Sequence, residues 1–303
     1  MVFVEKESFS GAAKAELCRD RIASRGTALA EAYGVLLFCN TFDRREIRIV
    51  TTSSAFAKRL PRLFRRAFAL DFDVLPEQGR GKQQLLVTDG EKLRAIVEAF
   101  GGDDSQLSHH INFALLEDDP CRAAFLRGAF LAGGSLSDPR KRYQLELSTS
   151  HYRVAMALQP LMAELGLTAR TVSRGANHVT YFKQSESISD FLTAVGAPLA
   201  AMEIMNTKME KNIYNKVNRR SNCDMANLDK AVEAAGRLID RIQVLQSSGT
   251  WDTLPDALRQ TGQMRLQNPE LSLSQLAQLC GVSKSCLNHR LRKLDQLAAQ
   301  QEE

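Results

Sequence analysis

Two apolar segments with a central glycine constrain the fold of this chain more than any other feature. They are residues 28–39 (ALAEAYGVLLFC) and residues 121–132 (CRAAFLRGAFLA). Each predicts a helix that is buried on nearly all sides, although its glycine costs about 1 kcal/mol of helix propensity relative to alanine. A glycine retained at that cost indicates close approach of another backbone. We therefore predict that the two helices pack against each other at Gly34 and Gly128.

The segments that follow these two helices repeat one order of predicted elements: strand, helix, two strands, helix. In the first copy they are residues 46–52, 54–68, 72–75, 83–88 and 91–100. In the second copy they are residues 143–149, 151–165, 168–173, 178–182 and 185–195. The central glycines lie 94 positions apart (34 to 128). This internal repeat predicts a pseudo-twofold α+β domain in which two sheets flank the helix pair.

The helix at residues 54–68 is predicted to be strongly amphipathic. Its apolar residues recur at helical spacing and are expected to face the core: Phe56, Leu60, Leu63, Phe64 and Ala67. Its arginines are expected to face solvent: Arg59, Arg62, Arg65 and Arg66. Pro61 lies inside this pattern, which predicts a kink or an offset helix start.

The C-terminal segment at residues 273–294 predicts two short helices around a tight turn. Apolar residues of the first helix fall at helical spacing: Leu273, Leu276, Ala277 and Leu279. Gly281 permits the positive φ that would end this helix. Val282 would fill the corner, and Ser283 is a suitable N-cap for the second helix. The core face of the second helix would comprise Leu287, Leu291 and Leu294.

The opposite face of the second helix is polar and basic, as in a helix-turn-helix whose second helix enters the DNA major groove. The candidate DNA-binding residues are Ser283, Lys284, Ser285, Asn288, His289, Arg290, Arg292 and Lys293. Lys284, Ser285 and Asn288 are expected near base edges, and Arg292 and Lys293 near phosphates. A helical hairpin with a merely solvated basic face is the alternative.

Residues 201–226 form a second basic segment, interleaved with asparagines. Its candidate DNA-binding residues are Lys208, Lys211, Lys216, Arg219 and Arg220. Lysine and arginine bind phosphates, whereas asparagine bonds to phosphates or base edges. A solvated linker helix is the alternative. A long helix is predicted after it, at residues 227–245, with Leu228, Ala231, Val232, Leu238 and Ile242 among its inward positions.

Length and charge give weaker constraints. The chain has 303 residues, which suggests about two domains. Its net charge of +5 is weak evidence for nucleic-acid binding by itself, and becomes informative only because several basic residues cluster in the sequence. The six cysteines are dispersed without a C-x-x-C pair, and no apolar run is long enough for a membrane span. We expect a cytoplasmic, nucleoid-associated protein with reduced thiols, no cofactor and no membrane contact.

Other motifs are assigned to ordinary structure, so no catalytic residue and no metal site are predicted. The adjacent pair His109-His110 is assigned to a loop rather than to a metal site. The acidic pair Asp103-Asp104 and residues 117–119 are assigned to solvated turns or helix caps. Residues 79–82 (GRGK) lack the spacing of a phosphate loop and are assigned to a hairpin turn.

The paired glycine-centred helices resemble those of LAGLIDADG homing endonucleases, in which each motif helix ends in an acidic residue that binds a catalytic cation. Alignment on the two glycines places Cys39 and Gly133 at the acidic positions. Neither residue offers the oxygen ligand that Mg²⁺ requires. The resemblance therefore implies a retained scaffold that has lost its metal chemistry, with Asp43 and Asp138 as nearby acids.

The whole chain resembles the WhiA family of bacterial regulators. The resemblance is carried by FLRGAFLAGGSLSDPRKRYQLELSTSH, YFKQSESISDFL, MEIMNTKMEKNIYNKVNRRSNCDMANLDKAVEAA and the helix-turn-helix. It implies two halves of a LAGLIDADG-like domain (1–104 and 105–200), a basic linker (201–226) and an all-α domain (227–303).

The family resemblance implies a non-enzymatic regulator of transcription that binds double-stranded DNA. It also implies roles in cell division, chromosome segregation and, in some lineages, sporulation. Two alternatives stay open. One is a DNA-anchored scaffold whose N-terminal domain binds a protein partner, and the other is a residual nuclease that uses different carboxylates.

Overall fold

The computed structural model describes residues 8–76, 81–102 and 109–300. The chain divides into two compact units, Met1–Asn212 and Ile213–Glu303. Part of the predicted turn at residues 79–82 and the pair Asp103-Asp104 lie outside the described residues.

The described residues of the first half of the first unit form four helices and a three-stranded sheet. The elements are α1 (Phe9–Arg19), α2 (Arg25–Phe38), β1 (Thr41–Phe42), β2 (Ile47–Thr51), α3 (Ser54–Phe68), β3 (Gln83–Val87) and α4 (Gly90–Ala99). The sheet is antiparallel in the order β1-β2-β3. The strand predicted at residues 72–75 is reduced to one bridge between Val74 and Leu86.

The second half repeats this arrangement with a four-stranded antiparallel sheet. Its elements are α5 (Asp119–Gly133), β4 (Gly134–Leu136), β5 (Leu145–Thr149), α6 (Tyr152–Glu164), β6 (Arg170–Arg174), β7 (Asn177–Phe182) and α7 (Ser185–Val195). The strand order is β4-β5-β7-β6. The predicted α+β pseudo-twofold fold is therefore confirmed, with two sheets beside one helix pair.

The helix pair α2 and α5 packs backbone to backbone at its two glycines. A Cβ atom added to Gly34 would lie 2.0 Å from the carbonyl oxygen of Phe125, and one added to Gly128 would lie 2.0 Å from that of Glu31. Glu31 and Phe125 are themselves 94 positions apart, so the two contacts are related by the internal repeat. The predicted close approach is confirmed, and only glycine fits at either position.

Arg59 does not face solvent as predicted. Its side chain is fully buried, and its Nε and Nη2 atoms donate to the two carboxylate oxygens of Glu31 at 2.6 and 2.8 Å. Arg127 from α5 donates to the same carboxylate at 3.0 Å. The prediction was wrong because Arg59 lies three residues after the inward Phe56, on the face that meets α2.

Helix α8 spans Pro198–Ser247, so helical structure begins well before residue 227. Leu228, Ala231 and Val232 are exposed rather than inward; Ile242 and Leu245 are buried. The prediction for these three residues was wrong because helical spacing identifies an apolar face but does not show whether another part of the chain packs against that face. Within the described part of the chain, no helix is long and apolar enough to cross a membrane.

The second unit continues with α9 (Asp256–Gln267), α10 (Leu273–Leu279) and α11 (Lys284–Ala299). These helices share a core with the C-terminal end of α8. The buried residues of this shared core are Ile242, Leu245, Leu254, Leu276, Ala277, Leu287, Leu291, Leu294 and Ala298. The predicted all-α helix-turn-helix domain is confirmed.

Candidate nucleic-acid interface

The turn between α10 and α11 has the predicted construction. Gly281 has φ of +63°, the left-handed conformation that ends α10 without strain for a residue lacking Cβ. Val282 packs against the core at the corner. The Ser283 hydroxyl caps α11 by accepting a hydrogen bond from the Cys286 backbone N–H at 3.2 Å. Leu273 and Leu279 are exposed, so α10 buries a narrower face than its sequence predicts.

Polar contacts as well as apolar packing fix the orientation of α11. Arg241 from α8 donates to the Asp295 carboxylate at 2.7 Å. The buried Arg265 of α9 donates to the Leu271 carbonyl at 2.6 Å and so holds the segment that enters α10. These two arginines were not identified from the sequence, because the sequence does not distinguish an arginine that bonds within the protein from one that faces solvent.

The outer face of α11 presents most of the predicted DNA-binding side chains to solvent. Lys284, Ser285, His289, Arg292 and Lys293 are exposed, and Asn288 is half-buried. Two predicted residues differ from this pattern. The Ser283 hydroxyl is engaged in the helix cap. The half-buried Arg290 reaches towards α9, where its Nη1 atom lies 3.5 Å from the Thr261 hydroxyl. The accessible part of the face is therefore one polar and basic stripe opposite Leu287, Leu291 and Leu294.

The basic segment of α8 divides into two parts. Lys208 forms an ion pair with Glu186, and Lys211 donates to the Pro139 carbonyl at 2.7 Å and lies over the Tyr143 ring. These two lysines therefore hold α8 against the second half of the first unit. Farther along the helix, three of the predicted residues are exposed: Lys216, Arg219 and Arg220.

The two positions that would carry metal-binding acids lie at the C-terminal ends of α2 and α5. The Cys39 Sγ atom lies 3.2 Å from the Leu36 carbonyl oxygen and 3.1 Å from that of Thr41, so its single proton can be donated to either one. Burial raises the pKa of this thiol to about 12. A Cβ atom at Gly133 would lie only 2.6 Å from the Ser148 carbonyl oxygen. The first position holds a protonated thiol, and the second has no room for a side chain.

The acids near these helix ends serve the backbone. Asp43 accepts hydrogen bonds from the N–H groups of Arg45 and Glu46, and these bonds lower its pKa. Asp138 accepts from the N–H group of Arg140 at 2.9 Å. Across the described ranges, no three His, Cys, Asp or Glu side chains gather in a way that could hold a metal ion.

His109 lies in an irregular segment, as predicted, but its ring has specific partners. It lies against the His151 ring, with centroids 3.9 Å apart and the ring planes tilted by 35°, and it also contacts Phe42. Burial, reinforced by the neighbouring His151, lowers the pKa of His109 to about 4. Burial also lowers the pKa of His151. The pair is thus neutral at pH 7 and joins the segment between the two halves to the start of α6.

The fold and this interface define a class of protein: a LAGLIDADG-like domain with altered acidic positions, joined to a helix-turn-helix domain. Family models agree, because the WhiA LAGLIDADG-like domain matches residues 122–214 and the WhiA C-terminal HTH domain matches residues 217–298. The chain belongs to the WhiA family.

Similar proteins extend over almost the whole chain. "Probable cell division protein WhiA" of Ruminiclostridium cellulolyticum is 36% identical over 303 residues, covering 96% of this chain and 97% of that protein. The protein of the same name from Alkaliphilus oremlandii is 33% identical, with 98% of each chain covered.

Solved structures show the same fold. Full-length DUF199/WhiA from Thermatoga maritima superposes with a TM-score of 0.61 at 24% identity, covering 97% of this chain and 98% of that one. The N-terminal LAGLIDADG domain of DUF199/WhiA gives a TM-score of 0.50 at 23% identity, covering 65% and 96%.

Proposed function

We propose that this protein is a sequence-specific regulator of transcription that binds double-stranded DNA and acts in cell division. The observation that carries the proposal is the outer face of α11. Its exposed polar and basic side chains stand opposite a fully buried leucine face, on a helix whose start and orientation are fixed by Ser283 and Arg241. A major-groove reading helix requires this combination of rigid support and accessible hydrogen-bonding groups.

The residues of the interface have different proposed roles. Lys284, Ser285 and Asn288, in the first turns of α11, would read base edges. Arg292, Lys293 and the accessible α8 residues Lys216, Arg219 and Arg220 would bind phosphates. Ser283 and Arg290 would act mainly within the protein, through the helix cap and the contact with Thr261.

The proposed function does not include catalysis. Hydrolysis of a phosphodiester by two metal ions would require metal ligands at the ends of α2 and α5. Cys39 holds a protonated thiol there, and Gly133 has no room for a side chain, so neither position supplies such a ligand. Involvement in cell division is supported by the name of the similar proteins from R. cellulolyticum and A. oremlandii. Roles in chromosome segregation and sporulation rest on the family resemblance.

Duplex DNA selected from a random pool by the full-length protein would test the proposal. Binding would then be measured over a salt series with Mg²⁺, and the DNA examined on a denaturing gel. We expect a preferred sequence, salt-sensitive binding and intact DNA. Cleavage that stops when Mg²⁺ is chelated would restore the nuclease alternative, whereas equal affinity for all sequences would contradict specific recognition.

Variants of α11 separate its two proposed roles. The double variant Arg292→Ala/Lys293→Ala should reduce the slope of log K against log salt by about 0.9 per lost phosphate contact on every sequence. Asn288→Ala should instead cost about 1–3 kcal/mol on the preferred sequence only. Lys230→Ala/Arg237→Ala, which removes equal charge from exposed positions of α8, is the matched control and should leave both quantities unchanged.

A DNA-anchored scaffold is the second candidate function. It is favoured by large apolar side chains that α8 exposes to solvent, among them Ile213, Val217, Leu228 and Val232. Transcript levels and cell length in cells carrying Arg292→Ala/Lys293→Ala discriminate between the candidates. Regulation predicts that both change together. A scaffold predicts altered cell length with transcripts near those of the unmodified strain.

A further inference from the structure

The outer face of α3 carries one cation on each successive turn of the helix. Lys58, Arg62 and Arg66 are all exposed and are spaced four residues apart. At 1.5 Å per residue, neighbouring side chains of this row start about 6 Å from each other along the helix. The opposite face of α3 is the buried one, so the row points away from the core of the first unit.

Two more cations lie at the end of this row: Arg21 in the loop before α2, and Arg25, the first residue of α2. Arg66 Nη2 donates to the Ala23 carbonyl, and Arg25 Nε donates to the Ala67 carbonyl, each at 3.5 Å. These bonds hold the loop beside the C-terminal end of α3. Arg21 and Arg25 are exposed there. We call Arg21, Arg25, Lys58, Arg62 and Arg66 together the α3 basic surface.

The side chains of the α3 basic surface form no ion pairs with acids in the described part of the chain. The two remaining arginines of α3 do have acidic partners: Arg59 is buried against Glu31, and Arg65 pairs with Asp71 at 2.6 Å. None of the five members of the surface makes an ion pair with an acid in residues 8–76, 81–102 or 109–300. A positive field of this kind attracts a polyanion from a distance.

We propose that the α3 basic surface is a second DNA-binding surface, which holds phosphates of a duplex without reading its sequence. The inference rests on the proposed function of the protein in binding DNA. Four of its five cations are arginines, whose planar guanidinium groups bind phosphate oxygens bidentately. α3 exposes none of the large apolar residues that form the centre of protein–protein interfaces.

The α3 basic surface differs from the α11 face in the kind of recognition it supports. It lies on a helix of the first unit and presents only cations, so its contribution would be nearly equal on all sequences. The two surfaces would therefore have different roles. The α11 face would select the DNA sequence, and the α3 basic surface would add affinity that falls steeply as the salt concentration rises.

The test uses the full-length protein with a duplex of arbitrary sequence and a duplex containing the preferred sequence. The variant Lys58→Ala/Arg62→Ala/Arg66→Ala should reduce the slope of log K against log salt by about 2–3 on both duplexes, at about 0.9 per contact. Arg140→Ala/Lys141→Ala/Arg170→Ala removes the same charge from other exposed positions of the first unit. This control should change the slope by less than about 1.

The α11 variant Arg292→Ala/Lys293→Ala, measured in parallel, distinguishes failure of this inference from failure of the proposed function. A normal slope for the α3 variant with a reduced slope for the α11 variant would overturn the second surface alone. The reverse result would support the α3 basic surface and contradict the proposed role of α11. Equal effects of the α3 variant and its control would mean that overall charge, and not this surface, acts on DNA. Circular dichroism of each variant verifies that these comparisons are made on folded protein.

Discussion

At the scale of single residues, the most consequential group is the buried carboxylate of Glu31. It accepts hydrogen bonds from Arg59 on α3 and from Arg127 on α5, so one side chain joins three helices. Arg127 also pairs with Asp20 after α1. A buried carboxylate is tolerated only when its charge is compensated. The lone acid in the apolar segment 28–39 was the sequence clue that a cation must lie opposite.

Glu31→Gln should destabilise the first unit by about 3–5 kcal/mol, because it leaves two buried or half-buried arginines without their shared anion. Urea unfolding followed by circular dichroism measures this change. Asp71→Asn is the matched control, since it removes one acid from the exposed pair with Arg65 and should cost less than about 1 kcal/mol. Similar losses for the two variants would contradict the structural role of Glu31.

The contacting imidazoles of His109 and His151 predict that the first unit loses stability in acid. Both pKa values lie below the ordinary value of 6.5, that of His109 at about 4. The unfolded chain therefore binds more protons between these pH values, so stability falls as pH decreases from about 6.5 towards 4. His109→Phe keeps an aromatic ring without the proton and should reduce this pH dependence of the urea midpoint. His289→Gln, which removes an exposed imidazole, should not.

At the scale of elements, the α2–α5 contact depends on the absence of two side chains. Gly34→Ala should destabilise the first unit by about 3 kcal/mol, because its Cβ would overlap the Phe125 carbonyl oxygen. Gly236→Ala is the control: no atom lies within 4 Å of its added Cβ, and alanine in a helix gains about 0.5–1 kcal/mol over glycine. Thermal melting that is unchanged in Gly34→Ala would contradict the observed packing.

Helical spacing predicted elements well where one face is apolar and the segment is long. The bounds of α3 and α7 and the turn at Gly281 were predicted directly. Strands β1 and β4 were missed because two or three residues are too few to show alternation. At the candidate site, spacing identified the exposed face of α11. It did not give the partners of Arg290, Lys208 and Lys211, which depend on residues distant in sequence.

At the scale of the whole molecule, the division into two compact units predicts two unfolding transitions in calorimetry. Gly34→Ala should lower only one of them. Gly281→Val should lower only the other, because a β-branched residue at φ of +63° costs about 1–3 kcal/mol of backbone strain. A single transition that moves with both substitutions would mean that the units unfold cooperatively.

The close packing around Gly133 would oppose the return of a metal-binding acid to the end of α5. In an ancestor that bound metal there, a single change could remove the acid. Restoring the acid would require more than one substitution, because an aspartate at position 133 would place its Cβ 2.6 Å from the Ser148 carbonyl oxygen and 3.1 Å from Phe38. β5 and the Phe38 side chain of α2 would have to move away from the end of α5 before the carboxylate could be accommodated. With the present packing, a single substitution at position 133 therefore cannot restore a metal-binding acid at this helix end.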